Sequence, residues 1–399
     1  MRSTRQPMRR TLLLGLLLCV VLKPAVAAGW LPGLLIDPSD GRLDASKYLA
    51  ETRGFLPVPI LVTEPSVGYG LGVAALFFHD PFAGKTEPGE EFEPNPERDG
   101  SLKPPSISAL IAGATENDTW FAGGGHFGVW RDDTLRYAGL LMTAEVNMDF
   151  YGIGGGSGLL ERRPLQFTSE ADVLFQQLLY RLGDSGFFAG ARYLYIDTRN
   201  TFRTSALLPG LGLPDIAFDN TTAGLGLVLQ YDGIDNRLSP GRGLKAGLQL
   251  IDFDESWGGD DDYRTYRAFA NYWFSPARKW TLGLRADGTR LDGDAPFYQY
   301  PFIDMRGIPA LRYQGEEVLL GEVEARYDLT PRWSLIGFAG VGRADSEGRR
   351  RGTATTVNAQ GVGFRYLVAR RFGMRAGIDV GWGPEETAVY ITVGSAWQR

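Results

Sequence analysis

The chain has 399 residues, a formal net charge of −6 and a single cysteine. It therefore lacks the basic surplus of a nucleic-acid binder and the thiols of a disulfide scaffold. Its 53 glycines, 17 Tyr, 22 Phe and 9 Trp go with period-two rather than helical patterning. Beyond the N-terminus no window approaches the ~18 consecutive apolar residues of a spanning helix.

Arg2, Arg5, Arg9 and Arg10 precede an apolar run, Thr11 to Leu22, and the small residues Ala25, Val26 and Ala27. Residues 1–27 are thus read as a secretory signal peptide, too short to serve as a membrane anchor. Removing them strips five basic residues (the four arginines and Lys23) and no acidic ones, taking the charge from −6 to −11. Cys19 goes with them, so the mature chain has no thiol chemistry. Residues 28–56 read as a short, proline-containing periplasmic leader.

Strands then follow in succession. Val58 to Thr63 and Gly68 to Phe78 form a hairpin. Residues 80–105 form a proline- and acid-rich insert without apolar periodicity. Ser106 to Thr115, Thr119 to Trp130, Thr134 to Asp149, Leu165 to Leu182 and Phe187 to Thr198 come next. Ala217 to Tyr231, Leu244 to Phe253, Tyr263 to Phe274 and Trp280 to Arg290 lead to a long loop. Glu316 to Asp328, Trp333 to Arg343, Thr353 to Leu367, Phe372 to Trp382 and Thr387 to Trp397 complete the set. The count is sixteen, even as in bacterial single-chain barrels. Turns such as Arg131-Asp132-Asp133 and Thr330-Pro331-Arg332 are tight, and the alternate loops near 150–164, 199–216 and 291–315 are long. That asymmetry matches short periplasmic turns and longer outer loops.

The strand from Glu316 shows the pattern best. Leu319, Gly321, Val323, Ala325 and Tyr327 share one face; Val318, Leu320, Glu322, Glu324 and Arg326 share the other. Three consecutive same-face charges suit a barrel with a polar interior, because charges buried without partners are costly. Arg306, in the loop before this strand, is positioned to answer the glutamates. The fold is accordingly read as an all-β transmembrane antiparallel barrel of about 16 strands, spanning 57–397; the inward-folded sixth outer loop is what a family resemblance implies.

Two segments carry a family resemblance. Asp232 to Gly243 (DGIDNRLSPGRG) resembles the periplasmic turn before the ninth strand of BamA/TamA-family barrels, the bacterial surface antigen superfamily. Met305-Arg306-Gly307-Ile308 is similar to their (V/L)RG(F/Y) motif at the sixth-loop tip, although Ile308 replaces the aromatic. The resemblance implies that the loop folds into the lumen, that Arg306 pairs with acidic wall residues, and that Glu324 is its partner, with Glu322 nearby. The family's thirteenth strand carries an aspartate where this chain has Gly340, so Arg306 is expected to lack one partner. Residues 28–56 are too few for a POTRA domain, the family's periplasmic client-receiving module. The resemblance also implies a weak seam between the first and last strands, the latter carrying Val389, Ile391, Val393 and a terminal aromatic targeting signal, Trp397.

Chemistry elsewhere is sparse. The string Gly152 to Gly158 superficially resembles a dinucleotide fingerprint but no helix follows it, so no cofactor is expected. His79 and His126, the two histidines, lack metal-site spacing. An outer-membrane phospholipase would need a serine–histidine pair on the lipid-facing wall, for which His126 is the sensible base. Arg349-Arg350-Arg351, in an outer loop, suits lipopolysaccharide phosphates or plain solvent. The chain is read as non-enzymatic, assisting assembly or translocation of protein or lipid at the bacterial outer membrane. Its expected partners are outer-membrane lipids, lipopolysaccharide, and unfolded outer-membrane proteins or a separate periplasmic factor. The alternatives are a passive solute pore and, second, a lipase-like enzyme.

Overall fold

The computed structural model describes residues 35–51, 54–79, 106–153, 160, 164–204, 214–346 and 354–397. Residues 1–27, expected to be a signal peptide, the insert at 80–105, most of the glycine string and Arg349 to Arg351 lie outside the described residues. A short helix, α1 (Ser46–Glu51), precedes sixteen strands. These are β1 (Gly54–Val62), β2 (Gly70–Phe78), β3 (Ile107–Thr115), β4 (Trp120–Trp130), β5 (Leu135–Phe150), β6 (Leu165–Arg181), β7 (Phe187–Phe202) and β8 (Ile216–Asp232). The second half comprises β9 (Gly243–Phe253), β10 (Tyr263–Phe274), β11 (Trp280–Gly293), β12 (Glu317–Asp328), β13 (Trp333–Asp345), β14 (Thr355–Ala369), β15 (Met374–Trp382) and β16 (Thr387–Val393). Each pairs antiparallel with its sequence neighbours in one sheet that curls into a nearly closed barrel. Among the described residues β1 pairs with β2 alone and β16 with β15 alone.

The two-residue period sorts the side chains as the sequence implies. On β12, Leu319 and Val323 are 51% and 42% exposed on the outer wall, whereas Val318, Leu320 and Glu322 are buried inside. Leu71, Leu110, Leu141, Leu227, Leu284 and Val341 continue an exposed apolar belt, a surface suited to lipid. Trp130, Tyr180, Phe187, Trp280 and Trp333 lie exposed beside the tight turns, where an interfacial aromatic girdle belongs.

The lumen departs from a uniformly wet interior. Register carries Ala74, Ile111, Leu140 and Val173 of β2, β3, β5 and β6 to the inner wall, so that sector is apolar. Most inner-wall charges gather on β9 to β12, β14 and β15, with Arg136 of β5, Arg192 of β7 and Asp232 of β8 as further ones. β5 to β8 are also the longest strands, at 16 or 17 residues. β7 reaches Phe202, four residues beyond the expected Thr198. Polar outer-face residues such as Asp197 and Arg199 mask the alternation there, because that stretch stands clear of the apolar belt.

The final strand requires a correction. It ends at Val393, and Gly394 adopts φ +79, a left-handed conformation open to glycine. The chain turns under the lumen, and Trp397 is buried against Trp273, ring centroids 5.9 Å apart, and Ile234. Trp397 therefore does not share the strand face of Val389, Ile391 and Val393; a period of two cannot be extended through a glycine turn.

The leader is docked rather than loose. Arg332, 1% exposed in the β12–β13 turn, binds Asp37 at 2.6 Å, Asp40 at 2.7 Å and Asp44. The Ala45 amide donates to the Val368 carbonyl at 2.7 Å, and Leu49 packs on Ala369 and Phe372.

Candidate functional site: an arginine-pinned loop in the lumen

The connection between β11 and β12, residues 294–316, turns into the barrel because its apolar residues find a partner surface there. Ile303, Met305, Ile308 and Tyr313 join Val318, Leu320, Ala344, Val357 and Ala359 of the inner wall in one buried cluster. Burial on that scale holds a long loop against its conformational entropy. At its start Phe297 packs on Phe150, Phe167 and Phe202 of the projecting strands, at 5.0, 5.0 and 5.1 Å.

Arg306 sits at the centre. One guanidinium nitrogen (Nη2) donates to Glu324 Oε2 at 2.6 Å, the other (Nη1) to Asp379 Oδ2 at 2.8 Å. The Phe338 ring lies beneath, its centroid 3.6 Å from the guanidinium carbon. Asp379, on β15, is fully buried and also accepts from Arg365 Nη2 at 2.8 Å and Thr392 Oγ1 at 3.2 Å. Two arginines thus face two carboxylates, and the charges balance. A buried array needs that balance if its desolvation is to be offset.

The neighbouring backbone shows why the motif is an arginine–glycine pair. Gly307 has φ +94, and a Cβ there would lie 2.9 Å from the Trp382 carbonyl carbon and 3.1 Å from the Gly383 nitrogen. Its amide donates to Tyr390 Oη of β16 at 2.9 Å. Further along, the Ala310 amide donates to Glu64 Oε1 of the β1–β2 turn at 3.2 Å. Arg312 meets Glu385 of the β15–β16 turn at 3.2 Å. One loop therefore touches β12, β15 and β16 and reaches the first hairpin.

The structure brings Met305, Arg306, Gly307 and Ile308 together in the lumen, with Arg306 on Glu324. Glu322 is set apart: it binds Arg285 at 2.6 Å, and Arg285 also donates to the Asp304 carbonyl at 3.1 Å. The expected gap at Gly340 is real but does not leave Arg306 short. A Cβ at Gly340 would lie 2.7 Å from Glu322 Cγ and 2.9 Å from Met305 Sδ, so the missing side chain makes room for the loop. Asp379, two strands further on, supplies the second carboxylate. Sequence reading missed it, although a lone charge between Gly377 and Gly381 on one strand face was a usable signal.

The tight-turn end of the lumen has its own floor. Residues 233–242, the segment similar to a family turn, fold across it. Ile234 packs on Trp273 and Trp397, and Asn236 donates to the Phe372 carbonyl at 2.8 Å. Arg237 meets Asp232 at 3.0 Å and Asp133 at 3.1 Å. Among the described residues no cluster of three or more His, Cys, Asp or Glu side chains suits a metal.

No family model and no curated protein matches this chain. Solved structures do. The BamA crystal structure from Haemophilus ducreyi lacking POTRA domains 1–3 superposes with a TM-score of 0.54 at 8% identity, covering 86% of this chain and 70% of that one. CdiB from Acinetobacter baumannii gives 0.53 at 10% identity, covering 85% of this chain and 59% of that one. The likeness is one of fold. This chain is a sixteen-stranded barrel of the BamA and CdiB kind, with the loop before β12 lodged inside.

Proposed function

We propose that this chain assists assembly or translocation of protein or lipid at the outer membrane, with the pinned loop as a releasable plug. The observation that carries the reading is the Arg306 junction, which ties the plug to β12 and β15 beside the unpaired edge of β16. On the opposite edge, Pro57 and Pro59 lie in β1. Proline is tolerated where its missing N–H faces away from a neighbouring strand, so both mark an edge poor in donors. The apolar sector of the inner wall favours an amphipathic client over a small solute, which would be served better by a wet wall throughout. The partners that suit this reading are outer-membrane lipids and lipopolysaccharide, with unfolded outer-membrane proteins as clients or a separate periplasmic factor delivering them.

The test is planar-bilayer conductance of the purified barrel beside Arg306→Ala. A small, flickering wild-type conductance that rises in the variant is expected. A large, steady conductance untouched by the substitution would reject the plug and leave a passive pore. A companion measurement is the folding rate of a urea-unfolded outer-membrane barrel protein added to vesicles with and without this chain. Acceleration is expected; equal rates would remove protein assembly from the proposal.

A further inference from the structure

The outer wall of β2 to β4 carries a hydroxyl between two imidazoles. Ser108 Oγ lies 2.8 Å from His79 Nε2 and 2.9 Å from His126 Nδ1. The three side chains come from consecutive strands or their ends, and register sets Ser108 directly opposite His126. Ile107 and Ala109 on either side of Ser108 face inward, so Ser108 and His126 face outward. The height is informative too. His126 stacks on Trp130 of the aromatic girdle, centroids 5.9 Å apart, with the Tyr137 ring 6.0 Å away on its neighbour strand. Gly128 and Gly139 let these rings lie flat, since a Cβ at either would collide with Trp130 or with the Tyr137 hydroxyl. The constellation therefore sits at the tight-turn interface, where acyl chains meet headgroups.

Polar groups on a lipid-facing wall are costly, and these three form their hydrogen bonds with one another rather than with the sheet. Both contacts fall within the ~2.6–3.2 Å reach of a nucleophile and its base. One imidazole can accept the hydroxyl proton while the other donates to Oγ. We propose that Ser108, His79 and His126 form an acyl-transfer site on the outer wall, hydrolysing the acyl esters of glycerolipids from within the membrane interface. Ser108 Oγ bonds to the ester carbonyl carbon as an imidazole takes its proton. The ester C–O bond breaks, and the departing alcohol carries that proton away. Water then adds to the acyl-serine as the same imidazole takes its proton; the Oγ–acyl bond breaks, the imidazole returns that proton to Oγ, and a fatty acid leaves with Ser108 and the imidazole restored.

The experiment uses the full chain folded in detergent micelles, with dioleoylphosphatidylethanolamine in mixed micelles as substrate and an alkyl fluorophosphonate as covalent probe. Fatty-acid release is expected, with the probe found on the peptide containing Ser108. Ser108→Ala should lower the rate by roughly a hundredfold or more and abolish labelling. His79→Asn and His126→Asn should each slow turnover and weaken labelling by the probe. Heat-modifiable migration on gels shows that each variant has folded. A Ser108→Ala variant that matches the wild-type rate, or a folded wild type that neither turns over the lipid nor takes up the probe, overturns the site. The lumen plug rests on other residues on the other side of the wall, so the two proposals fail independently.

Discussion

Arg306 and Asp379 meet at 2.8 Å with side chains 3% and 0% exposed, 73 residues apart in the chain. Their contact joins the tip of an outer loop to the middle of β15. It is the middle link of a buried chain that runs Glu324–Arg306–Asp379–Arg365.

Breaking that chain from one side leaves a buried charge without its partner. Asp379→Ala should destabilise the barrel by ~3–5 kcal/mol. The double variant Arg306→Ala/Asp379→Ala should lose clearly less than the sum of the two singles, because it also removes the stranded guanidinium. Urea midpoints in detergent measure the cycle. Additive losses would show that the two side chains do not stabilise one another.

Gly340 makes a prediction that runs against the motif the sequence resembles. Gly340→Asp supplies the aspartate that the sequence resemblance leads one to expect here, yet it pushes into Glu322 and Met305. The substitution should expel Met305 from its seat, raise bilayer conductance and lower stability by ~1–3 kcal/mol. Unchanged conductance would mean that the loop is not seated by this contact.

The leader clasp is acid-labile. Burial alone would raise the Asp44 carboxyl, but hydrogen bonds from Ser46 and Arg332 outweigh it and hold the group below its ordinary value of 3.8. A hydrogen bond from Arg332 does the same for Asp40. Carboxylates with depressed folded values add stability that is complete above the ordinary value and lost as the pH falls through the depressed one. Docking should therefore be intact at neutral pH, weaken only as the pH falls below 3.8, and be released once it passes the depressed values. Hydrogen-exchange protection of the Ala45 and Leu49 amides, corrected for intrinsic rates, reads the transition. Arg332→Ala should remove that protection at every pH, and retention at pH 7 would contradict the role given to Arg332.

Trp397 is expected to act as a floor rather than as the end of a strand. Trp397→Ala leaves a cavity against Trp273 and Ile234, worth about 3 kcal/mol. The β15–β16 ladder, which ends before Gly394, should stay intact. Amide exchange separates the effects: the ladder amides should keep their order while global stability falls.

How legible was this in the sequence? The strands were, because lipid outside and a packed wall inside impose a period of two that residues such as Leu319 and Glu322 obey. Alternation fails wherever that constraint lapses. Beyond the belt, Asp197 to Asn200 extend β7 with polar residues, and after Gly394 the backbone leaves the sheet. Arg306 and Glu324 were legible as motif and strand pattern, whereas Asp379 showed only as a lone charge between Gly377 and Gly381, with no local spacing to link it to an arginine 73 residues away. The pairing of Ser108 with both histidines was equally hidden. Their positions, 79, 108 and 126, become neighbours only through strand register. The docked leader defeated reading for the same reason, its aspartates being answered by one arginine far along the chain.

That distance has a consequence for how the molecule is made. Asp40 and Arg332 are 292 residues apart, and Asp37 and Arg332 are 295 apart. Closing so long a loop is entropically slow, and the clasp has no partner until the turns after β12 and β14 exist. The segment synthesised early must wait for strands synthesised late, so the clasp closes near the end of folding and reports completion of the ring. Once shut, it makes an open-ended chain behave almost as a circular one: the first strand cannot drift from the last few without first giving up Arg332.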